Sequence, residues 1–203
     1  MRMLAIECAT EACSVALFDD ETLIAHDHRV LGRGHAERLV PMIAALPGSG
    51  KADRITVSLG PGSFTGVRIG LATARALGFA WQAQVLGYPT LALVAAMART
   101  ERGPQPVTSV MTGGHGEWFV QDFAADGTAV SDMTSLSPAD AAQSAAASLL
   151  AGTQAEALLA ARGHGEALTL HPDARFVAAL PAHLLSPDTV PIYGRAPDAK
   201  LPA

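Results

Sequence analysis

Two cysteines, 5% aromatic residues and 16% charged residues in a chain of 203 are the scarcities of this sequence. Each removes a class of function. Cys8 and Cys13 are too few for a disulfide framework and read as two small buried thiols. With 14 Lys+Arg against 19 Asp+Glu the net charge is -5, so the basic stripe of an independent nucleic-acid binder is missing, although a local patch stays open. No apolar run approaches the roughly 18–20 residues that cross a bilayer, and Met1–Thr10 lacks a basic start and long apolar stretch, so the expectation is a cytoplasmic protein without a membrane. The seven histidines form no His-Glu-x-x-His or His-x-x-x-His pair. His26 and His28 flank Asp27 without a third ligand, and the expectation is no metal site. Gly62-Ser63-Phe64 places its serine one residue too early for a nucleophile elbow.

What is present is 49% hydrophobic residue, enough for a core in one domain or two small lobes. Met3–Ala9, Cys13–Phe18 and Thr22–His28 read as a three-stranded meander around the polar turn Asp19-Asp20-Glu21. A helix follows from Gly34 to Leu46, stopped at Pro47-Gly48-Ser49-Gly50. Then come a strand at Ile55–Leu59, a helix to about Gln82, a strand at Gln84–Gly87 and a helix from Pro89 to Arg99. After a linker at Thr100–Pro106 the order recurs, with strands expected at Val107–Met111, Glu117–Phe123 and Thr128–Thr134. A helix capped by Ser137 with Pro138 in its first turn comes next. The alanine-rich stretch from Ala139 to Ala161 reads as helix interrupted at Gly152-Thr153, and the tail from Leu168, with its prolines, as mostly irregular. The pattern predicts an α/β duplication, with an N-terminal lobe over 1–103 and a C-terminal lobe over 104–203.

Gly60-Pro61-Gly62-Ser63-Phe64-Thr65-Gly66-Val67-Arg68-Ile69-Gly70 is the densest signal. It lies between a strand and a helix, where unpaired helix N–H groups favour an anion. It is not a Walker loop, and Thr65 stands where the third glycine of a dinucleotide fingerprint would be. A phosphate cradle and a tight turn capped by Ser63 or Thr65 both fit. Gly66, Gly70, Ala74 and Gly78 then recur every fourth residue and give the helix one face of small side chains. Glycine inside a helix costs roughly 1 kcal/mol relative to alanine, so this face implies close approach by a neighbouring element, within the chain or on another chain.

Leu4–Leu17, His35–Pro41, the Gly60–Gly70 loop and Pro191-Ile192-Tyr193-Gly194-Arg195-Ala196-Pro197-Asp198-Ala199-Lys200, in that order, resemble the bacterial TsaB (YeaZ) family. The resemblance implies an actin/Hsp70/sugar-kinase-like, ribonuclease H-like duplicated fold of two lobes with mixed sheets and flanking helices. It implies a role in adding the threonylcarbamoyl group to N6 of adenosine 37 in tRNAs reading A-starting codons. There a TsaD-type paralogue carries the metal and the catalysis, and a TsaE-type ATPase joins the complex. On this reading the chain is a non-catalytic subunit that meets tRNA indirectly and forms a homodimer when its partner is absent. The alternative is an autonomous nucleotide-binding enzyme, an ATPase or glycoprotease-like hydrolase using the Gly60–Gly66 loop.

Thr10, Gly60, Pro61, Gly62, Ser63, Phe64, Thr65, Gly66 and Arg68 are the candidates for holding a nucleotide or anion. His35, Arg38, Leu39, Met42, Gly66, Ile69, Gly70, Thr73, Ala74, Leu77 and Gly78 are the candidates for a partner interface. No tightly bound cofactor is expected, with ATP or ADP and magnesium restricted to the partner interface. Two departures from the family pattern bear on chemistry. Glu7 stands where Asp is usual, and Thr112 stands where an acid would orient magnesium, which argues against autonomous hydrolysis. The stretch from Arg162 to Pro191 is compressed relative to family members and implies a shortened second lobe.

Overall fold

A computed structural model describes residues 1–194 of the chain. The Arg195–Lys200 part of the tail motif lies outside the described residues. The first sheet contains β1 (Arg2–Glu7), β2 (Ala12–Asp19), β3 (Thr22–Val30), β4 (Arg54–Ser58) and β5 (Gln84–Tyr88), in the order β3-β2-β1-β4-β5. β1 pairs antiparallel with β2 and parallel with β4. β1 is buried from Leu4 to Glu7 and β2 from Ala12 to Phe18, as central strands covered on two faces are.

The second sheet contains β6 (Val107–Thr112), β7 (Trp118–Phe123), β8 (Thr134–Leu136), β9 (Leu149–Ala151) and β10 (Glu166–Leu168), in the order β10-β9-β6-β7-β8. Its meander is antiparallel and its β6–β9 and β9–β10 pairs are parallel, matching the first sheet strand for strand. The connections match too. α1 (His35–Ala45) and α4 (Pro138–Ser144) follow the third strands, and α2 (Phe64–Trp81) and α5 (Ala155–Arg162) link the last two. The fifth strands lead to α3 (Thr90–Arg102) and to a 3-10 segment at Ala174–Ala179. The expected duplication is therefore present in the topology. The second copy is compressed, with helices of 7 and 8 residues where the first has 11 and 18.

α3 joins the copies. Every residue from Thr90 to Ala98 is buried, because the helix lies between the sheets in one core with Ala5, Ala16 and Phe18 from one and Val107, Met111 and Phe123 from the other. The opposite face of the first sheet carries a second core, where Leu39 and Ile43 of α1 and Val67 and Leu71 of α2 meet Leu4, Ile6, Val15 and Val57.

Three expectations are corrected in the second half. The third strand lies at Thr134–Leu136, with a single bridge, Phe123 to Ala129, inside the expected Thr128–Thr134. The alanine-rich stretch is not helix throughout. Leu149-Leu150-Ala151 forms β9, fully buried beside β6, so tertiary burial overrides local propensity there. α3 runs on to Arg102, into the expected linker. The tail also crosses back to the first lobe. Ser186 bridges Gly87 and the Ile192 amide donates to the Leu59 carbonyl at 2.7 Å.

Candidate functional site

The stripe of small residues on α2 is turned inward. Gly66, Gly70, Ala74 and Gly78 are all buried. A Cβ on Gly66 would collide with the Cys8 carbonyl oxygen and one on Gly78 with the Val85 side chain, while one on Gly70 would stand 3.5 Å from Val57 Cγ2 and 3.6 Å from Cys8 Cβ. The close approach is therefore to the chain's own sheet, and these four residues do not form a partner surface. His35, Leu39 and Met42 are likewise buried. Of the interface candidates, Arg38 is exposed and Ile69, Thr73 and Leu77 are half-buried.

Sequence reasoning missed the faces that these helices do present. Ala36, Val40 and Ala44 of α1 are exposed at four-residue spacing, as are Ala72, Ala76 and Ala80 of α2. Val40 is 53% exposed and Phe79, near the end of α2, is 90% exposed. Both helices pack their other sides on the same face of the first sheet, so the two apolar stripes look outward together. The signal was in the sequence, at the same spacing as the glycines and on the opposite side of α2.

Between the lobes lies a cleft of about 1180 Å³. Its walls are the β1–β2 turn, the loop before α1, the start of α2, and the β6–β7 turn at Thr112–His115, which occupies in the second copy the place of the β1–β2 turn in the first. Thr10, Gly62, Ser63, Phe64, Thr65, Gly66 and Arg68 line the cleft, whereas Gly60 and Pro61 do not reach it.

Much of the Gly-rich loop is occupied with holding itself. The Ser63 amide donates to the Ala9 carbonyl at 2.7 Å, and Ser63 Oγ accepts from the Gly66 amide at 3.2 Å, the N-cap bond expected of it. Gly62 touches Ala9 so closely that no Cβ fits. The Arg68 guanidinium stacks 3.5 Å from the centre of the Phe64 ring and donates to Tyr193 Oη at 3.0 Å. Tyr193, in the tail motif, thus belongs to the cleft wall.

Of the two positions where the family pattern places acids, position 112 is a threonine and position 7 a glutamate outside the lining, while Glu11 and Glu37 do line this cleft. Glu7 is wholly buried beneath it, accepting from the Ala9 amide at 2.7 Å and from Tyr88 Oη at 3.3 Å. Burial pushes its carboxyl up to about 7, because the charged form loses water that these hydrogen bonds only partly replace. Thr112 Oγ1 accepts from Gln154 Nε2 at 2.8 Å. Among the described residues no three of His, Cys, Asp and Glu gather as a metal site.

His35 is a structural clamp. Its Nε2 lies 2.9 Å from the Thr10 carbonyl oxygen and 3.2 Å from that of Ala12, two acceptors that require an N–H on that nitrogen. It pins the start of α1 to the β1–β2 turn. The Gly113–Gly116 stretch is a tight hairpin turn, closed by the Gly113 amide donating to the Glu117 carbonyl at 2.8 Å. His164 is exposed.

Comparison with known proteins agrees with this architecture. The family model described as TsaD, tRNA N6-adenosine threonylcarbamoyltransferase, matches residues 29–178. The tRNA threonylcarbamoyladenosine biosynthesis protein TsaB of Escherichia coli is 37% identical over 131 residues, 62% of this chain and 56% of that protein. Its Haemophilus influenzae namesake is 37% identical over 105 residues, 48% of this chain and 43% of that protein. The matched region thus spans about half the length of these relatives. The solved structure of YeaZ from Pseudomonas aeruginosa superposes with a TM-score of 0.78 at 27% identity, covering 95% of this chain and 99% of that one. Ethanolamine utilization protein EutJ from Carboxydothermus hydrogenoformans, at a TM-score of 0.51 and 8% identity over 89% of each chain, shares the fold alone.

Proposed function

The chain belongs to the family described by the TsaD model, in its TsaB (YeaZ) branch, and from that membership we propose that it is a non-catalytic subunit in tRNA threonylcarbamoyladenosine synthesis. It binds and supports a TsaD-type catalytic paralogue that adds the threonylcarbamoyl group to N6 of adenosine 37. A TsaE-type ATPase and tRNA are reached through that complex, and a second copy of the chain occupies the same face when the paralogue is absent.

The observation that carries this reading is the pair of outward apolar stripes, Ala36-Val40-Ala44 and Ala72-Ala76-Ala80, on two adjacent helices. Small apolar side chains on two adjacent helices let another element approach closely and cover them. The burial of Glu7 and the threonine at position 112 argue against a hydrolase acting alone. We place any ATP or ADP with magnesium at the shared interface, completed by the paralogue's residues. Isolated chain titrated with magnesium and ATP in a calorimeter should give no saturable micromolar binding, and turnover by the chain alone would favour an enzyme instead.

The direct test is reconstitution. The chain and the TsaD-type protein of the same organism should co-elute in size-exclusion chromatography, and modification of unmodified tRNA should require both. Full activity without this chain would overturn the assignment.

A further inference from the structure

Cys8 and Cys13 are both free and buried, and their sulfurs lie 3.5 Å apart. Strand register explains why they meet. β1 and β2 pair Arg2 with Asp19 and so on to Glu7 with Ser14, where the ladder ends, and one further step in that register sets Cys8, just past β1, against Cys13. Opposed residues of an antiparallel ladder stand about 4.5–5.5 Å apart at Cα, inside the span of a disulfide. Both side chains enter the same core as Ile6, Val15 and Leu39. A disulfide would bring the sulfurs to about 2.05 Å.

Burial selects the oxidant. Cys8 is 1% exposed and Cys13 0%, so a glutathione-sized disulfide would have to insert a peptide arm into the core, whereas a water-sized peroxide would not. The sulfurs share a hydrogen bond in which either can donate; it pushes the Cys13 thiol down against the opposing effect of burial, while the bond and burial together push Cys8 up. Cys13 is therefore the sulfur that ionises first.

We propose that Cys8 and Cys13 are a peroxide-reactive thiol pair that closes to an intramolecular disulfide. The Cys13 thiolate attacks one oxygen of hydrogen peroxide, the O–O bond breaks, and hydroxide leaves and is protonated to water, giving Cys13 sulfenic acid. The Cys8 sulfur then attacks the Cys13 sulfur, the S–S bond forms, and the S–O bond breaks. A second water leaves with the Cys8 proton. Two thiols and one peroxide become one disulfide and two waters. The bond would lock the turn from Ala9 to Ala12, which supplies the carbonyls that Ser63 and His35 bind at the cleft wall.

The test uses the native full chain. After exposure to hydrogen peroxide or to glutathione disulfide, the protein is unfolded, alkylated with N-ethylmaleimide and mapped by mass. The untreated chain should carry two adducts. Peroxide should reduce these to none, with the tryptic peptide Met3–Arg29, which holds both cysteines, about 2 Da lighter than its unalkylated dithiol form. Glutathione disulfide should leave both adducts. Cys8→Ser should stop at a Cys13 sulfenic acid that dimedone traps, and if that variant does not fold, the wild-type map alone decides. Two adducts surviving peroxide, sulfinic or sulfonic acid in place of the bridge, or equal closure by glutathione disulfide would each overturn the proposal.

Discussion

Gly62 rests against the backbone of Ala9 with no room for a side chain between them: a Cβ there would overlap the Ala9 carbonyl oxygen and lie within 2.9 Å of the Ala9 Cβ. Gly66 stands in the same relation to the Cys8 carbonyl. The loop's glycines are thus fixed by contact with the β1–β2 turn. Gly62→Ala and Gly66→Ala should each destabilise the fold by about 3 kcal/mol or more, since backbone cannot yield as a flexible side chain does. Gly114→Ala, with nothing within 4 Å of its Cβ and no positive φ, should stay within about 0.5 kcal/mol. Urea unfolding of the three variants checks the contrast, and equal midpoints would mean the loop has another reason for its glycines.

This contact shows how far the sequence could be read. The strand–glycine–helix order at Ser58–Phe64 was legible because each piece carries a local signal, and so was the meander from Met3 to Val30. The direction of the Gly66-Gly70-Ala74-Gly78 stripe was not, because a small face serves a sheet and a partner helix equally well in one dimension. β9 was hidden in alanine, and its strand conformation comes from the ladder to β6. The return of Tyr193 to Arg68 joins residues 125 apart, which no window of sequence contains. Glu7 was recognised as a departure from the family, while its burial under the cleft floor depends on Tyr88 and the β1–β2 turn together.

The proposed docking face can be separated from the packing face by mutation. Val40→Glu and Ala76→Glu place charge on exposed positions in a good helix former, so stability should change by no more than about 0.5 kcal/mol. Affinity for the TsaD-type subunit should fall at least tenfold, about 1.4 kcal/mol, because the charge would be buried without a partner. Ala74→Trp, at a position with 0% exposure, should instead unfold the chain. Chromatography beside urea unfolding distinguishes them, and unchanged co-elution of the double glutamate variant would move the interface elsewhere.

His35 offers a different test, because it joins two elements of the chain. His35→Ala leaves the Thr10 and Ala12 carbonyls without their shared donor and should cost about 1–3 kcal/mol. The loss should appear first as faster proteolysis in the exposed Gly32–Gly34 segment, where the start of α1 is released. A cleavage rate equal to wild type at matched temperature would show that the clamp is dispensable.

Glu7 gives the fold a pH dependence of defined sign. Its carboxyl ionises at about 7 when folded, against an ordinary value of 4.5, so between those limits the folded chain holds a proton that the unfolded chain has released. Stability from this group is complete below about pH 4.5, falls as pH rises toward 7 and is level above it. The full loss is on the order of 3 kcal/mol, since the side chain is completely buried. Glu7→Gln keeps an oxygen for the Ala9 amide and cannot ionise, so it should be stable relative to wild type by an amount that grows from pH 5 to pH 8 by up to that figure. Urea unfolding of both proteins across this range measures the difference, in which the other titrating groups cancel. A difference independent of pH would mean that Glu7 is already ionised in the folded chain at pH 5, with the Ala9 amide and Tyr88 hydroxyl enough to hold the charge.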